Sequence, residues 1–267
     1  MGVGRKRVRR TIETMTQKDP TSLFSGRVEN YIKYRPGYSP ALLELLSSKY
    51  GLTPESVIAD MGSGTGILTE LFLKNGNPVF AVEPNDEMRS AAKKMLGSYP
   101  KFTSVATRAE ASGLEAHSVD FVTVGQAFHW FDRPAVRVEF IRILKQGGWV
   151  VLAWNGARTN TSFLQDYDEF WRTTLKGARG TREEENDDVA AFFGGKAERI
   201  LLDGVHQDLN YEQFVGRVLS ISMSVRPGEP GHETFMEKVR GMFERHQVGG
   251  QVRISYDTEL VIGQLNE

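Results

Sequence analysis

Cysteine is absent from the 267-residue chain. Its absence excludes disulfides, thiolate metal sites, iron–sulfur clusters and any cysteine nucleophile. The five histidines are scattered along the sequence, and none is grouped with acids at the spacing of metal ligands. We therefore expect a protein that works without a metal ion.

Long apolar runs and an excess of charge are also lacking. The sequence has no apolar run of about 18 residues, the length that predicts a transmembrane helix. Lys and Arg total 33 against 34 Asp and Glu, so no overall charge attracts nucleic acid or an anionic membrane. The N-terminal MGVGRKRVRR holds five basic residues, but the polar TIETMTQKDP that follows lacks the apolar region of a secretory signal. We expect a cytoplasmic protein with a disordered basic tail over residues 1–22, or alternatively a weak polyanion-binding arm there.

Short apolar runs alternate with amphipathic stretches up to about residue 155. Strands are predicted over residues 57–60, 78–83, 102–106, 119–124 and 149–154. Helices are predicted from Ser39-Pro40 to Gly51 and over 67–76, 85–97 and 132–148, with Ser39, Asn85 and Asp132 as N-caps and Gly51 as a stop. Strands that alternate with helices predict a parallel sheet covered on both faces. Ligands of such sheets bind at the carboxyl ends of the strands.

Beyond Trp154 the pattern is looser. Helices are predicted over 161–175, 211–222 and 233–246, and late strands over 197–205 and 251–265. The segment 176–195 is rich in glycine and acid, which predicts a mobile surface excursion. No repeat or sharp change of composition separates a second domain, so we expect a single domain over residues 23–267.

A glycine-rich turn, in VIADMGSGTGIL, follows the first predicted strand. Gly62, Gly64 and Gly66 have the spacing G-x-G-x-G instead of the dinucleotide fingerprint G-x-G-x-x-G. Glycines let the backbone pass close to a ligand, whereas Asp60 would repel a diphosphate and would suit a cation. Glu83 ends the second strand, where an acid can bind both hydroxyls of a ribose. The pattern favours a nucleoside ligand that lacks phosphate.

The segments ADMGSGTG, VEPNDEM, RAEASGL and VTVGQAFHWFD resemble the successive motifs of class I S-adenosylmethionine-dependent methyltransferases of type 11. GQAFHWFD and the upstream YIKYRPGY resemble the trans-aconitate methyltransferase-like group. The resemblance covers roughly residues 24–155. It implies a Rossmann-like, doubly wound α/β fold with a mostly parallel seven-stranded sheet, an antiparallel late strand, an N-terminal helical segment and a helical lid insertion. The cofactor would be S-adenosyl-L-methionine and the product S-adenosyl-L-homocysteine, with the cofactor-binding core at about 24–155 and the lid elements at about 156–250.

The resemblance also assigns residues to parts of the cofactor. These would contact the methionine part (Asp60, Gly62, Ser63, Gly64), the ribose (Glu83), the adenine (Pro84, Met88, Ala109, Glu110) and the aminopropyl arm (Gly125, Gln126). Many relatives have an aspartate where this chain has Arg108, so recognition of the adenine amine stays open.

Tyr31 and Arg35 would reach the carboxylate of the cofactor by the same resemblance. They are four residues apart and share one face of a helix, and an arginine suits bidentate binding of a carboxylate. The alternative is that Arg35 pairs with a surface acid while Tyr31 packs.

The acceptor class follows partly from missing motifs. Methylation of cytosine C5 needs a cysteine, and methylation of amino groups commonly goes with an Asn/Asp-Pro-Pro-aromatic motif where this chain has GQAFHWF. We therefore expect a small-molecule acceptor that is methylated on oxygen or carbon in preference to an unactivated nitrogen. We expect no nucleic acid or membrane partner and a monomeric or homodimeric protein. A tRNA or protein methyltransferase and a non-catalytic cofactor-binding module are the alternatives.

His129 is the candidate catalytic residue, since it lies just past the end of the fourth predicted strand. It could act as general base for a hydroxyl acceptor. With a carboxylate acceptor it would only orient the substrate. Packing between Phe128 and Trp130 is the alternative.

Overall fold

The structure is a computed structural model that describes residues 28–174, 182–222 and 224–265. The predicted basic tail, residues 1–22, lies outside the described residues. In the described residues the helices are α1 (Val28–Tyr34), α2 (Ala41–Tyr50), α3 (Ile67–Lys74), α4 (Asp86–Leu96), α5 (Arg133–Ile143), α6 (Ser162–Thr174), α7 (Arg182–Phe192), α8 (Tyr211–Leu219) and α9 (His232–His246). The strands are β1 (Ile58–Met61), β2 (Val79–Val82), β3 (Phe102–Val105), β4 (Val119–Gly125), β5 (Leu144–Ala157), β6 (Ala197–Leu209) and β7 (Val252–Gly263).

These strands form one mixed sheet in the order β3-β2-β1-β4-β5-β7-β6. β1 pairs in parallel with β2 and β4, β2 with β3, and β4 with β5. The strand order reverses beside β1, which is where ligands bind in open α/β sheets. The prediction of a seven-stranded, mostly parallel α/β sheet is confirmed.

Apolar residues cover both faces of the parallel strands. Ile58 of β1 packs in one cluster with Leu42 and Phe72 from α2 and α3. Its neighbour Ala59 packs in a second cluster with Phe140 of α5. Alternate strand residues point to opposite faces, so both faces of the sheet are buried. This burial explains the near-continuous apolar character of the short strand sequences.

Three of the predicted helix ends have the expected caps. The Asn85 side chain accepts a hydrogen bond from the Met88 N–H, and the Asp132 side chain accepts one from the Ala135 N–H. Gly51 ends α2 in the left-handed conformation, with φ of 74°. The prediction that Ser39 caps α2 is wrong by one residue, because Pro40 occupies the N-cap position and makes no side-chain cap bond there.

Two predicted segments differ from the structure. α5 ends at Ile143, five residues before the predicted end at Gly148, because Leu144 already pairs with Val119 of β4. The predicted mobile excursion over 176–195 contains α7, whereas residues 175–181 lie outside the described part of the chain. Phe192 stabilises this helix by packing in the core against Phe128 and Phe140.

Contacts divide the chain into two compact units. The first unit is Met1–Pro36, Ala157–Thr181 and His206–Tyr256, and the second is Gly37–Gly156, Arg182–Val205 and Asp257–Glu267. The second unit contains β1 to β4 and the glycine turn. The first contains α1, α6, α8 and α9. Among the described helices, none combines the length and apolar character needed to cross a membrane.

Candidate functional site

The glycine turn between β1 and α3 has a backbone that only glycine adopts readily. Gly62, Gly64 and Gly66 have φ of 68°, 58° and 89°. A Cβ on Gly62 would lie 2.7 Å from the Ala127 Cβ, and one on Gly66 would lie 2.4 Å from Leu96 Cδ1. A Cβ on Gly64 would meet nothing within 4 Å. Two of the glycines are therefore required by packing, whereas the middle one faces open space.

Glu83 connects the turn to the end of β2. One carboxylate oxygen accepts a hydrogen bond from the Gly64 N–H at 2.9 Å, and the other accepts from the Asn85 N–H at 2.8 Å. Burial raises the pKa of Glu83, and these two N–H donors oppose that increase. Each carboxylate oxygen has a further lone pair. The carboxylate is thus fixed in place and can still accept two hydroxyl groups.

Asp60 lies at the carboxyl end of β1 and is 1% exposed. The Thr69 hydroxyl of α3 donates to one carboxylate oxygen at 2.6 Å, and the Thr123 hydroxyl of β4 donates to the other at 3.0 Å. Burial raises its pKa to about 6, although both threonines act in the opposite direction. Asp60 therefore holds three elements together. Its contact with the methionine part of a cofactor stays a prediction.

The residues predicted for adenine follow β2 and β3, which are adjacent strands with Val82 opposite Val105. Pro84 is half-buried, and Met88, in the first turn of α4, is buried. The short 3₁₀ helix Ala109–Ala111 follows β3 and contains the other two predicted residues. Ala109 is buried, and the Glu110 carboxylate accepts a hydrogen bond from the Asp132 N–H at 3.0 Å. The sheet thus brings both segments to one edge, which is also the edge of the glycine turn.

The end of β4 combines close packing with an unusual backbone. A Cβ on Gly125 would lie 2.6 Å from the Tyr38 hydroxyl. Gln126 is in the left-handed region with φ of 58°, and its N–H donates to the Ala153 carbonyl at 2.9 Å. Such conformations are costly for non-glycine residues and cluster at functional sites. Gly125 and Gln126 lie at the end of β4, at the carboxyl edge of the sheet. Their contact with a cofactor stays a prediction.

His129 lies on a 3₁₀ helix, Phe128–Trp130, just after this strand end. Its ring is half-buried and lies 4.6 Å from the ring of Trp130. Phe128 is fully buried against Phe131 and Phe192, so its role is core packing. Since Ala127 and Phe131 lie within van der Waals distance of the position of a Cβ on Gly62, this segment is packed beside the glycine turn.

Tyr31 and Arg35 belong to the first unit. The guanidinium carbon of Arg35 lies 4.8 Å from the centre of the Tyr31 ring, and Arg35 Nη2 donates to the Ser220 carbonyl at 3.0 Å. Their assignment to the carboxylate of the cofactor stays a prediction. Aromatic residues of the predicted lid elements pack largely on each other: Phe163, Tyr167 and Phe214 are buried and in mutual ring contact.

Several residues of these clusters were missed by reasoning from the sequence. Thr69 and Thr123 bind Asp60, Tyr38 covers Gly125, and Arg217 of α8 is buried in the first unit. Polar residues within apolar runs, as in ILTELF and VTVG, are the signal that could have identified the threonines. Arg217 lies between buried residues of an amphipathic helix, three positions after Phe214.

Relatives of the chain are methyltransferases by name. Residues 59–152 match a family profile described as a methyltransferase domain. An uncharacterized methyltransferase of Schizosaccharomyces pombe is 33% identical over 208 residues, which are 73% of this chain and 80% of that protein. One of Mycobacterium tuberculosis is 31% identical over 156 residues, or 58% of this chain. The chain spans 61% of the length of that mycobacterial relative.

Solved structures share the fold. One provisionally assigned as a type II methyltransferase from Anaeromyxobacter dehalogenans has a TM-score of 0.64 at 20% identity, with 87% of this chain and 98% of that chain covered. Another, provisionally assigned as a methyltransferase from an antibiotic biosynthesis pathway of Anabaena variabilis, has a TM-score of 0.61 at 22% identity, with 87% of this chain and 99% of that chain covered. The chain therefore belongs to the class I S-adenosylmethionine-dependent methyltransferase family, as its motifs predicted. The cofactor of this family is S-adenosylmethionine.

Proposed function

We propose that this protein transfers the methyl group of S-adenosylmethionine to a small-molecule acceptor, on oxygen or carbon more readily than on nitrogen. The observation that supports this proposal most is the arrangement of the glycine turn and Glu83. A backbone segment open at Gly64 lies beside a fixed carboxylate with free lone pairs. This arrangement suits a nucleoside with a ribose and no phosphate at the turn.

The charge of the site suits the cofactor as well. Asp60 and Glu83 are buried acids, and neither has an ion pair within the described residues. Their negative potential favours a cation and repels a diphosphate. When bound, the cofactor supplies a methyl group activated by a positively charged sulfur. We propose that Glu83 accepts the ribose hydroxyls while Gly62, Ser63 and Gly64 contact the methionine part.

The adenine would lie beside the segments that follow β2 and β3. Pro84 and Met88 offer apolar contact surface there, as does Ala109. Glu110 is already bonded to the start of α5, so it would position the backbone of its 3₁₀ helix against the base. Gly125 and Gln126 would contact the aminopropyl arm from the end of β4.

His129 would act on the acceptor. In methyl transfer the protein aligns donor and acceptor and excludes water. The aromatic residues beside His129 supply an apolar surface for that purpose. For a hydroxyl acceptor, the imidazole of His129 would remove the proton from the attacking oxygen. For a carboxylate acceptor, no proton has to leave, and His129 would orient the substrate.

We also propose that residues 23–267 act as one methyltransferase domain in the cytoplasm, as a monomer or homodimer. The net charge of −1 supports a small-molecule acceptor over nucleic acid.

Replacing Glu83 by glutamine tests the cofactor site. We expect Glu83→Gln to weaken binding of S-adenosylhomocysteine by about 1–3 kcal/mol in calorimetry, because charge-assisted bonds to the ribose are lost. Glu70→Gln is the matched control, since Glu70 pairs with Lys74 on the exposed side of α3. Equal affinities of the wild type and Glu83→Gln would contradict the ribose assignment. Release of S-adenosylhomocysteine is then measured over hydroxyl, carboxylate and carbon acceptors, with tRNA and protein included as competing substrates.

A further inference from the structure

We infer that the first unit contains a binding site for the carboxylate of an organic molecule, formed by Arg35 and Arg217, here called the arginine pair. The inference goes beyond the proposed methyl transfer and uses no property of the glycine turn. It depends on how these two side chains are buried, bonded and surrounded.

Arg217, on α8, is 6% exposed. Its Nε donates to the Tyr256 hydroxyl at 3.0 Å. Its Nη1 is buried and has no acceptor among the described residues. A buried guanidinium is costly unless it is paired or fully hydrogen bonded. The protein therefore positions a donor that its own described residues do not use.

Arg35 directly follows α1. Its Nη2 donates to the Ser220 carbonyl, and the Ser220 hydroxyl donates to the Arg217 carbonyl at 2.7 Å. This cap at the C-terminal end of α8 accounts for one guanidinium nitrogen of Arg35, Nη2. It does not explain Nε, which is buried and has no acceptor in the described part of the chain. Arg35 thus has a structural role and an unused donor.

The two arginines are close enough to affect each other. Burial lowers the pKa of Arg35, and the positive charge of Arg217 acts in the same direction. Within the described residues, neither arginine has an ion pair with an acid, whereas Arg245 and Arg253 of the same unit pair with Asp166 and Asp208. Two like charges held together without an acid form a receptor for an anion.

Tyrosines complete the surroundings of the arginine pair. The Tyr167 hydroxyl is buried and has no partner among the described residues. The Tyr256 hydroxyl accepts from Arg217 and donates to Gln207 Oε1 at 2.9 Å, which fixes the orientation of the guanidinium. Burial raises the pKa of Tyr256 to about 12, so its hydroxyl stays protonated at neutral pH.

The aromatic surroundings select the kind of anion. The Tyr167 ring contacts Phe163 and Phe214, so an apolar surface adjoins the donors. Inorganic phosphate is strongly hydrated and gains nothing from such a surface, whereas the apolar body of an organic acid does. Guanidinium groups bind carboxylates with two parallel hydrogen bonds. The carboxylate is that of an organic acid separate from the cofactor.

The test measures binding of phenylacetate, succinate and inorganic phosphate to the full-length protein by calorimetry at constant ionic strength. Phenylacetamide is the neutral probe. We expect at least one carboxylate to bind, with phosphate weaker and phenylacetamide undetected. Arg217→Gln should lower the affinity about tenfold or more through loss of charge-assisted bonds, and Arg253→Gln, at an exposed arginine of the same unit, should leave it unchanged.

Tyr167→Phe is a second test in case Arg217→Gln does not fold, because it removes only the unpartnered hydroxyl and keeps the ring packing. It should also weaken carboxylate binding. The source is found by titrating S-adenosylhomocysteine and 5′-methylthioadenosine, which lacks the carboxylate. In Arg217→Gln, a loss of affinity for the organic acids alone supports the inference, whereas a loss for S-adenosylhomocysteine alone contradicts it.

Three results would overturn the inference. One is that phosphate binds more tightly than the carboxylates. Another is that folded Arg217→Gln or Tyr167→Phe binds every carboxylate as the wild type does. The third is that no organic acid binds to the wild-type protein. Binding of 5′-methylthioadenosine to Glu83→Gln reports on the proposed function separately, because that experiment involves neither arginine.

Discussion

The two units bury charge in opposite ways. In the second unit, the acids Asp60 and Glu83 have no ion pair within the described residues, yet every carboxylate oxygen accepts a bond from a hydroxyl or a backbone N–H. In the first unit, Arg35 and Arg217 also lack an ion pair there, but each has a buried nitrogen without an acceptor. Acids satisfied by neutral donors can persist without a ligand. Cations with unused donors point to a missing anion.

This contrast separates a preformed site from an incomplete one. The acids are held by Gly64, Thr69, Asn85 and Thr123, so the proposed ligand would add bonds without rearranging them. The arginine pair lacks that complement. Binding of an anion to it should therefore raise the stability of the folded state by mass action.

The largest expected effect comes from replacing His129, a residue of the second unit. Such an effect would support methyl transfer at that unit. His129→Gln should lower kcat by roughly 10²–10⁴-fold with a hydroxyl acceptor, because a general base supplies about that share of the rate. Cofactor affinity should not change. The measurement is steady-state kinetics with an acceptor identified from the panel, and the wild-type rate should rise with pH because the imidazole must be neutral to accept the proton.

His206→Gln is the matched control, since His206 is an exposed histidine of the first unit. It should retain the wild-type rate and pH profile. With a carboxylate acceptor, His129→Gln should instead raise KM and leave the pH profile flat. Unchanged kcat and KM in His129→Gln would remove His129 from the site and leave alignment as the mechanism.

A smaller effect is expected from substitutions in the glycine turn. These substitutions can separate the effect of packing on stability from the effect of a filled space on ligand binding. Gly62→Ala should cost about 2–4 kcal/mol of the free energy of unfolding, because it adds a left-handed alanine and a clash with Ala127. Gly64→Ala should cost about 1–2 kcal/mol, since its Cβ enters open space. Urea unfolding measures both.

The order should reverse for ligand binding. Gly64→Ala places a methyl group where we propose the cofactor lies, so it should weaken binding of S-adenosylhomocysteine more than its loss of stability explains. If Gly64→Ala binds S-adenosylhomocysteine like the wild type, the open space at the turn is not the cofactor site.

Asp60 should also affect stability, and its effect sharpens the contrast because it depends on pH. Burial raises its pKa in the folded state to about 6, above the ordinary value of 3.8. The folded state then binds the proton more tightly, so the contribution of Asp60 to stability is full below about pH 4 and is lost as the pH rises through about 6. The change amounts to ~3 kcal/mol. Guanidinium groups do not titrate in this range.

Unfolding by urea at several values between pH 4 and 7 measures the effect. The free energy of unfolding of the wild type minus that of Asp60→Asn should decrease as the pH rises. A difference that is constant with pH would show that the Asp60 carboxyl titrates normally.

The parallel half of the fold could be predicted because its signals are local. The caps at Asn85 and Asp132 and the three glycines follow from short sequence patterns, and they lie where the patterns placed them. The end of α5 could not be found in this way. KQGG follows the helix without a break in pattern, and pairing of Leu144 with Val119, distant in sequence, decides where the strand begins.

Residues of the candidate site were likewise predicted only where their sequence signal is local. Glu83 and the glycine turn were predicted, because strand ends and glycines are visible in the sequence. The threonines that bind Asp60 were missed, since hydroxyls within apolar runs do not show what they face. Arg217 was missed for a related reason. The surroundings of its guanidinium come from α1, α6 and β7, which are far apart in the chain.

The two hydroxyl partners of Asp60 are also synthesised at different times. Thr69 is 9 residues away in the sequence, whereas Thr123 is 63 residues away. At the usual pace of translation, the second partner emerges about 3 to 13 s after Asp60. Until then β1 has no β4 beside it, and Asp60 lacks one of its two hydroxyl partners. The acid is enclosed only when the central strands pair, so the nascent chain completes the surroundings of Asp60 late.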